Sequence, residues 1–231
     1  MNDITSRRFS SLCILSYERP DFLKRSIESL KRNTRARHEI IVNDDGSENQ
    51  NVLNYIADLQ LESRISYAIY NSGKNMGVGK ALRNCIGVSS GDYIFKLDAD
   101  LEYTHRWLEK AVSILNNHND VGCVGLFDYL HYDPKDKRFK HIEERNDCFI
   151  VEDFVNSGYG FKRSIYEKYG KELGDDGWQQ YVKSQGYKLA IPKGDLVINF
   201  GFGEGKSVYV QNGQAIPSSK SPRIFQCGRS E

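Results

Sequence analysis

Asp98 and Asp100 stand one residue apart in Lys96-Leu97-Asp98-Ala99-Asp100, directly after the aromatic and β-branched run Asp92-Tyr93-Ile94-Phe95. Such a run reads as a buried strand, which brings both carboxylates to the point where the strand ends. In an extended segment residues i and i+2 point to the same side. Two like charges held that close repel and raise each other's pKa unless a cation sits between them, and hard oxygen ligands suit Mg2+ or Mn2+. The spacing therefore makes a candidate metal site, set against the plainer reading of a polar turn closing a strand. Two other acidic groups stand out. Asp44-Asp45 lies in Asn43-Asp44-Asp45-Gly46-Ser47, which breaks the apolar run before it, and Asp175-Asp176 precedes the stretch Trp178 to Ser184. For the second pair the plainer reading is an acidic first helical turn that suits the helix dipole.

Positioning these groups requires a scaffold, and the periodicity of the chain supplies one. Phe9 to Ser16 reads as a first strand, and Arg19-Pro20-Asp21 starts a helix whose Phe22, Leu23, Ile27 and Leu30 share a face. Glu39 to Val42 is a second strand, and Val52, Leu53, Ile56 and Leu59 make a second amphipathic helix. Ile65 to Tyr70 is a third strand. After the loop Asn71 to Gly77, a third helix carries Val78, Ala81, Leu82, Cys85 and Ile86 up to a stop at Gly87, and a fourth strand leads to Asp98. Strands alternating with helices imply right-handed crossovers and a mostly parallel α/β sheet flanked by helices, a class that binds ligands beyond the carboxyl ends of its strands. Asp45, the Gly77 loop and Asp98 all fall at such ends.

Beyond Asp100 the pattern predicts a helix with Trp107, Leu108, Ala111, Val112 and Leu115, a strand from Val121 to Val124, and a mobile charged connection from Asp133 to Asp147. An outer strand from Phe149 to Val155, short helices over Arg163 to Tyr169 and Trp178 to Ser184, and strands over Tyr187 to Ile191 and Leu196 to Phe200 follow. Tyr159, Phe161 and Trp178 read equally as stacking surfaces or as core. From Gly201 onward glycine, serine, proline and basic residues show no periodicity, which predicts a flexible tail or lid over 206–231 after a single domain over 1–205. Residues 9–100 and 101–205 would be its two halves.

Composition narrows the function classes. In 231 residues, 32 Lys and Arg against 31 Asp and Glu leave a net charge of +1, so no global field favours nucleic acid or an anionic membrane. No apolar run approaches bilayer length and the N-terminus lacks a signal-peptide core, which predicts a soluble, cytoplasmic protein. Five cysteines at wide spacings, with no Cys-x-x-Cys pair, predict reduced thiols filling the core.

Two glycine motifs fail on inspection. Gly77-Val78-Gly79-Lys80 would need its third Rossmann glycine at Leu82, and as a P-loop it would need glycine at Lys74 and Ser or Thr at Ala81. Gly205-Lys206-Ser207 would need glycine at Phe200. What remains is a helix start after Gly77 that faces a diphosphate with Lys80 and Arg83 one turn in, or else is an ordinary solvated helix face.

Five segments now fall into line: Ser16-Tyr17-Glu18-Arg19-Pro20, Ile41 to Ser47, Asn75-Met76-Gly77 with Arg83-Asn84, Gly91-Asp92-Tyr93-Ile94, and Asp98-Ala99-Asp100. In order and spacing they resemble the landmarks of family 2 glycosyltransferases, of the GT-A fold, over residues 9 to 200. Val155-Asn156-Ser157-Gly158, Gly174 to Trp178 and Gly186-Tyr187-Lys188 resemble the acceptor segment and the acidic motif of that family. The resemblance implies inverting transfer of a sugar from a nucleotide-sugar, most simply a UDP-sugar, to an acceptor hydroxyl. Ser16, Tyr17, Asp45, Lys80, Arg83 and Asp98 would contact the donor, with Asp45 accepting the uracil N3–H. Asp100, Asp98 and Asn199 would hold Mn2+ or Mg2+, and Asp176, with Asp175 as the alternative, would be the general base. The sequence departs from the family pattern at Leu15 and Glu18, in Asp-Asp-Gly-Trp for the acidic motif, and in Asn199 or Phe200 where a histidine is usual, which implies modest metal affinity. A glycan is the acceptor to expect first; basic tail residues Lys206, Lys220, Arg223 and Arg229 keep a modified nucleic acid in play. The competing classes are a nucleotidyltransferase, which would carry a glycine-rich loop after its first strand, and a silent nucleotide-sugar binding module.

Overall fold

The computed structural model describes residues 9–71, 74–128, 140–169, 175–201, 208–211 and 214–217. The first half follows the periodicity closely. Strand β1 (Ser10–Ser16) is buried along its whole length, and Pro20 opens helix α1 (Pro20–Asn33), with Asp21 in its first turn and Lys31 and Arg32 in its last. Leu23, Ile27 and Leu30 are fully buried on one face of α1, each contributing about 1.5–3 kcal/mol of apolar burial. Strand β2 (His38–Asp44), helix α2 (Gln50–Leu61), strand β3 (Tyr67–Tyr70), helix α3 (Val78–Val88) and strand β4 (Tyr93–Asp98) complete this half. Asn49 caps α2 by accepting from the Asn51 N–H at 3.0 Å.

Strands β1 to β4 run parallel in the order β3-β2-β1-β4, so all four end at one edge of the sheet. The register sets Ser16 beside Asp44, Asp44 beside Tyr70 and Leu15 beside Asp98.

The second half contains β5 (Leu101–Tyr103), α4 (Trp107–Asn117), β6 (Val121–Gly125), β7 (His141–Glu144), β8 (Cys148–Val151), β9 (Gly158–Lys162), α5 (Arg163–Tyr169), α6 (Asp175–Ser184), β10 (Lys188–Pro192) and β11 (Val197–Asn199). A backbone hairpin of β12 (Val208–Gln211) and β13 (Gln214–Pro217) follows. The full sheet has nine strands in the order β3-β2-β1-β4-β9-β6-β10-β8-β7, mostly parallel in direction, with β9 antiparallel to both β4 and β6.

Four expectations need correction. The segment 158–162 carries no strand in the sequence reading, yet β9 is a central strand. Its glycines disguise it: a Cβ on Gly160 would lie 2.3 Å from Phe95 Cε1, so the Phe95 ring fills the space that a β-branched residue would normally take. Tyr159 and Phe161, on the other face, are buried core. The charged connection contains strand β7, which lies outside β8, so β8 is not the outer strand. Its charges pair with neighbouring elements: Arg145 meets Asp120 at 2.7 Å and Lys188 meets Glu143 at 2.9 Å. The tail contains the β12–β13 hairpin, whose strands of four residues each are too short to show a period. Residues 133–139 of the connection expected to be mobile, and the remaining tail, lie outside the described residues. Among the described residues, no helix is long and apolar enough to cross a membrane. Cys13, Cys85, Cys123 and Cys148 are buried, as expected of core thiols.

Candidate active site

The C-terminal edge of β1 to β4 gathers the acidic residues singled out in the first half. After β1 the chain turns at Glu18, whose positive φ of 58° lets its N–H reach Ser47 Oγ at 2.9 Å. Asp44 accepts from the Ser47 N–H at 2.9 Å and from its hydroxyl. Burial pushes the Asp44 carboxyl up, against the lowering effect of those Ser47 bonds. The Asp45 N–H donates to the Ser16 carbonyl at 2.9 Å, which ties the ends of β1 and β2 together.

The Asp45 carboxylate is engaged by the protein itself. One oxygen accepts from Asn71 Nδ2 at 2.7 Å and from the Met76 N–H at 2.9 Å, and the other accepts from the Gly77 N–H at 2.8 Å. Three of about four lone-pair sites are thereby filled. Asp45 thus anchors the loop before α3 and caps that helix from a distance, where Gly77 has a φ of +84°. Gly46 is equally constrained: a Cβ there would lie 2.6 Å from the Lys74 carbonyl carbon. Asn71 Oδ1 accepts from Asn84 Nδ2 at 3.1 Å, joining the loop to α3, which also carries the exposed Lys80 and the half-buried Arg83. Beside this cluster lies a hollow of about 410 Å3, lined by Asp44, Ser47, Tyr70 and Asn71 together with residues of α2.

The end of β4 is built on different principles. Strand geometry stops at Asp98, and Ala99-Asp100 form a turn, so the same-side expectation for Asp98 and Asp100 does not apply. The period-2 partner of Asp98 is instead Lys96, whose Nζ lies 2.7 Å from Asp98 Oδ1 and donates to the Asn156 carbonyl at 2.6 Å. Asp100 meets Arg19 Nη2 at 2.9 Å through one oxygen and Asn199 Nδ2 at 3.2 Å through the other. The Phe200 N–H donates to the Asp100 carbonyl at 3.0 Å. Gly201 closes the centre from below: a Cβ there would lie 2.1 Å from Asp100 Oδ2. Each carboxylate therefore comes with a cation supplied by the chain. The oxygen donors of Asp98 and Asp100 fit a hard divalent cation, with Arg19 standing on one of them. Asn199 reaches the centre through its amide, whose oxygen accepts from the Gly201 N–H at 2.8 Å.

Helix α6 is tied to this edge by Gln179, which is buried and donates to Asn156 Oδ1 and, at 3.3 Å, to the Phe154 carbonyl. A chain of contacts thus runs from α6 through Asn156 and Lys96 to Asp98. Trp178 packs against Phe161 at 4.9 Å and Tyr166 at 5.8 Å, as core and not as a stacking surface. The side chains of Asp175 and Asp176, at the start of α6, lie outside the described part of the structure.

Comparison with known proteins decides the family. The family model described as "Glycosyl transferase family 2" matches residues 11–175. The chain belongs to glycosyl transferase family 2. Its sequence relatives include uncharacterized glycosyltransferases of Methanocaldococcus jannaschii (27% identical, covering 66% of this chain and 48% of that protein) and Bacillus subtilis (25% identical, covering 69% and 60%). A third relative, from Haemophilus influenzae, is 28% identical over 51% of this chain and 36% of its own length. This chain therefore spans less than two thirds of the length of these relatives.

Solved structures place this family 2 chain in the GT-A fold. The mannosyltransferase PcManGT from Pyrobaculum calidifontis, in complex with GDP-Man and Mn2+, superposes with a TM-score of 0.64 at 16% identity, covering 86% of this chain and 58% of that one. GalNAc-T7 with UDP, GalNAc and Mn2+ gives 0.62 at 16% identity, covering 80% and 42%. S. aureus TarS 1-349 gives 0.60 at 13% identity, covering 82% and 59%.

Four residues that pair at this sheet edge escape the sequence reading as partners: Arg19, Lys96, Asn156 and Gln179. Only Lys96 leaves a local signal, because it stands two residues before Asp98 on the same strand. Elsewhere, among the described residues, His118, Asp147 and Cys148 bring three potential ligand atoms within 4.8 Å of one another. There burial and the neighbouring Asp147 push the Cys148 thiol up to about 12, which opposes the thiolate that a metal would need.

Proposed function

We propose that this chain transfers a sugar from a nucleotide-sugar donor, a UDP-sugar, to an acceptor hydroxyl by single displacement with inversion. The observation that carries this reading is the placement of Asp45, Asp98 and Asp100 at one sheet edge in a family 2 chain. The solved likenesses that contain GDP-Man or UDP with Mn2+ support a nucleotide-sugar and a divalent cation here. Asp45 retains a lone pair for the uracil N3–H, held in place by its three N–H partners. Ser16 and Tyr17 flank the nucleoside side of the edge. The Ser16 hydroxyl is buried and has no partner among the described residues, a deficit that a bound donor would relieve. Lys80 and Arg83, in the first turns of α3, supplement the positive charge facing the diphosphate.

Asp100 and Asp98 are the residues that would hold Mn2+ or Mg2+, which when bound neutralises charge on the departing nucleoside diphosphate. Asn199 orients Asp100. Asp176, with Asp175 as the alternative, takes the proton of the attacking acceptor hydroxyl. A glycan hydroxyl is the acceptor we propose.

The test is single-turnover transfer at saturating donor, compared with UDP binding on the same variants. Asp176→Asn keeps size and polarity but cannot take the proton, so transfer falls by about 100-fold or more while UDP affinity holds. Asp175→Asn does less. If the two swap, Asp175 is the base; if neither slows transfer, the acidic pair is only a helix start. Stabilisation against heat by UDP-sugars in preference to GDP-sugars, dependent on metal, checks the donor.

A further inference from the structure

Among the described residues, the four charged side chains that pair at the end of β4 sum to zero. Asp98 and Asp100 supply two negative charges, Lys96 and Arg19 two positive ones, and each carboxylate lies within 2.9 Å of its cation. The two cations are held differently. Lys96 is 3% exposed and fixed between Asp98 and the Asn156 carbonyl, so it has no route out without leaving a buried charge unpaired. Arg19 is 24% exposed, lies in the loop between β1 and α1, and rests its guanidinium 4.5 Å from the centre of the Phe22 ring. It can swing toward solvent along that ring.

A dication arriving at this neutral centre would raise its charge to +2 in a partly buried place and would have to take Asp100 Oδ2 from a guanidinium already on it. A nucleoside diphosphate arriving with it brings the missing negative charge. We infer that Arg19 is a resident counter-cation that blocks metal binding to the free protein and yields Asp100 only when a nucleoside diphosphate accompanies the metal. The exchange moves no proton and breaks no covalent bond: the Arg19–Asp100 contact opens and a metal–carboxylate contact forms. Arg19 is thereby a positioning residue that makes binding ordered, and the inference rests on the metal reading of Asp100 made above. Asn199 and Gly201 hold the carboxylate in place throughout.

The experiment measures Mn2+ binding by electron paramagnetic resonance with and without UDP, on the wild-type chain, Arg19→Gln, Arg19→Met and Arg19→Lys. Arg19→Met keeps the apolar stem over Phe22 and removes only the charge, which separates lost charge from lost packing. Without UDP, both neutral variants should bind Mn2+ about tenfold or more tightly than wild type, and Arg19→Lys should stay near wild type. The gain in Mn2+ affinity that UDP confers should shrink in both neutral variants, and by reciprocity the gain in UDP affinity that Mn2+ confers should shrink by the same factor. Equal Mn2+ affinity of wild type and both neutral variants, with UDP-dependent binding retained, would overturn the role of Arg19 and leave the metal site standing. No Mn2+ binding in any variant, with or without UDP, would remove the metal site and this inference together.

Discussion

Asp45 and Asp100 follow β2 and β4 at the same edge of the sheet, yet the protein satisfies them by opposite means. Asp45 receives three neutral N–H groups, two of them from the backbone that leads into α3. Asp100 receives a guanidinium and a side-chain amide from segments 81 and 99 residues away. Amide dipoles hold a carboxylate without pairing it with a cation, so Asp45 is fixed in place. A guanidinium cancels the charge and can be traded for another cation, so Asp100 is exchangeable. The first arrangement suits a constant reading surface, and the second suits a group that must change partner during a cycle.

That contrast predicts different costs for the two sites. Asp100→Asn removes the exchangeable anion and should weaken Mn2+ binding in the presence of UDP by about 100-fold or more, since even outer partners of metal ligands cost 10- to 100-fold. Its folding stability should move by no more than about 1 kcal/mol, because Arg19 is partly exposed. Asp45→Asn should do the reverse. An amide NH2 facing donors already in place leaves at least one of them unpaired, lowering stability by about 1–3 kcal/mol and weakening UDP binding even without metal. Chemical denaturation alongside titration with UDP measures both. Should Asp100→Asn prove the more destabilising of the two, the distinction between amide-held and cation-held carboxylates is wrong.

The smallest effect probes the loop that Asp45 caps. Gly77 has a φ of +84° and a ψ of 158°, a backbone region held almost only by glycine, with open space around the position of a Cβ, so Gly77→Ala meets no clash and bears only that backbone strain. A loss of about 1–3 kcal/mol in thermal or urea unfolding is expected, with Mn2+ binding unaffected. A loss well beyond that would show that the loop before α3 carries more than the Asp45 contacts.

The alternation of strands and helices through Asp98 was legible because each element writes its buried face into a short window, at a period near 3.6 for α1 and α3 and near 2 for the strands. The family landmarks lay in the same local windows, and so did the presence of carboxylates at the strand ends. Central strand β9 was not legible, because Gly158 and Gly160 answer to Leu101, Leu126 and the Phe95 ring across the sheet and not to their own neighbours. The state of the acidic centre was equally hidden. The sequence by itself determined that Asp98 and Asp100 follow a buried strand in a family 2 chain. Only the tertiary structure decided that Lys96 takes Asp98, that Arg19 and Asn199 take Asp100, and that Gln179 locks α6 to the same edge. Side-chain pairing across such separations depends on where whole elements dock, and it leaves no periodic trace in the residues that make it.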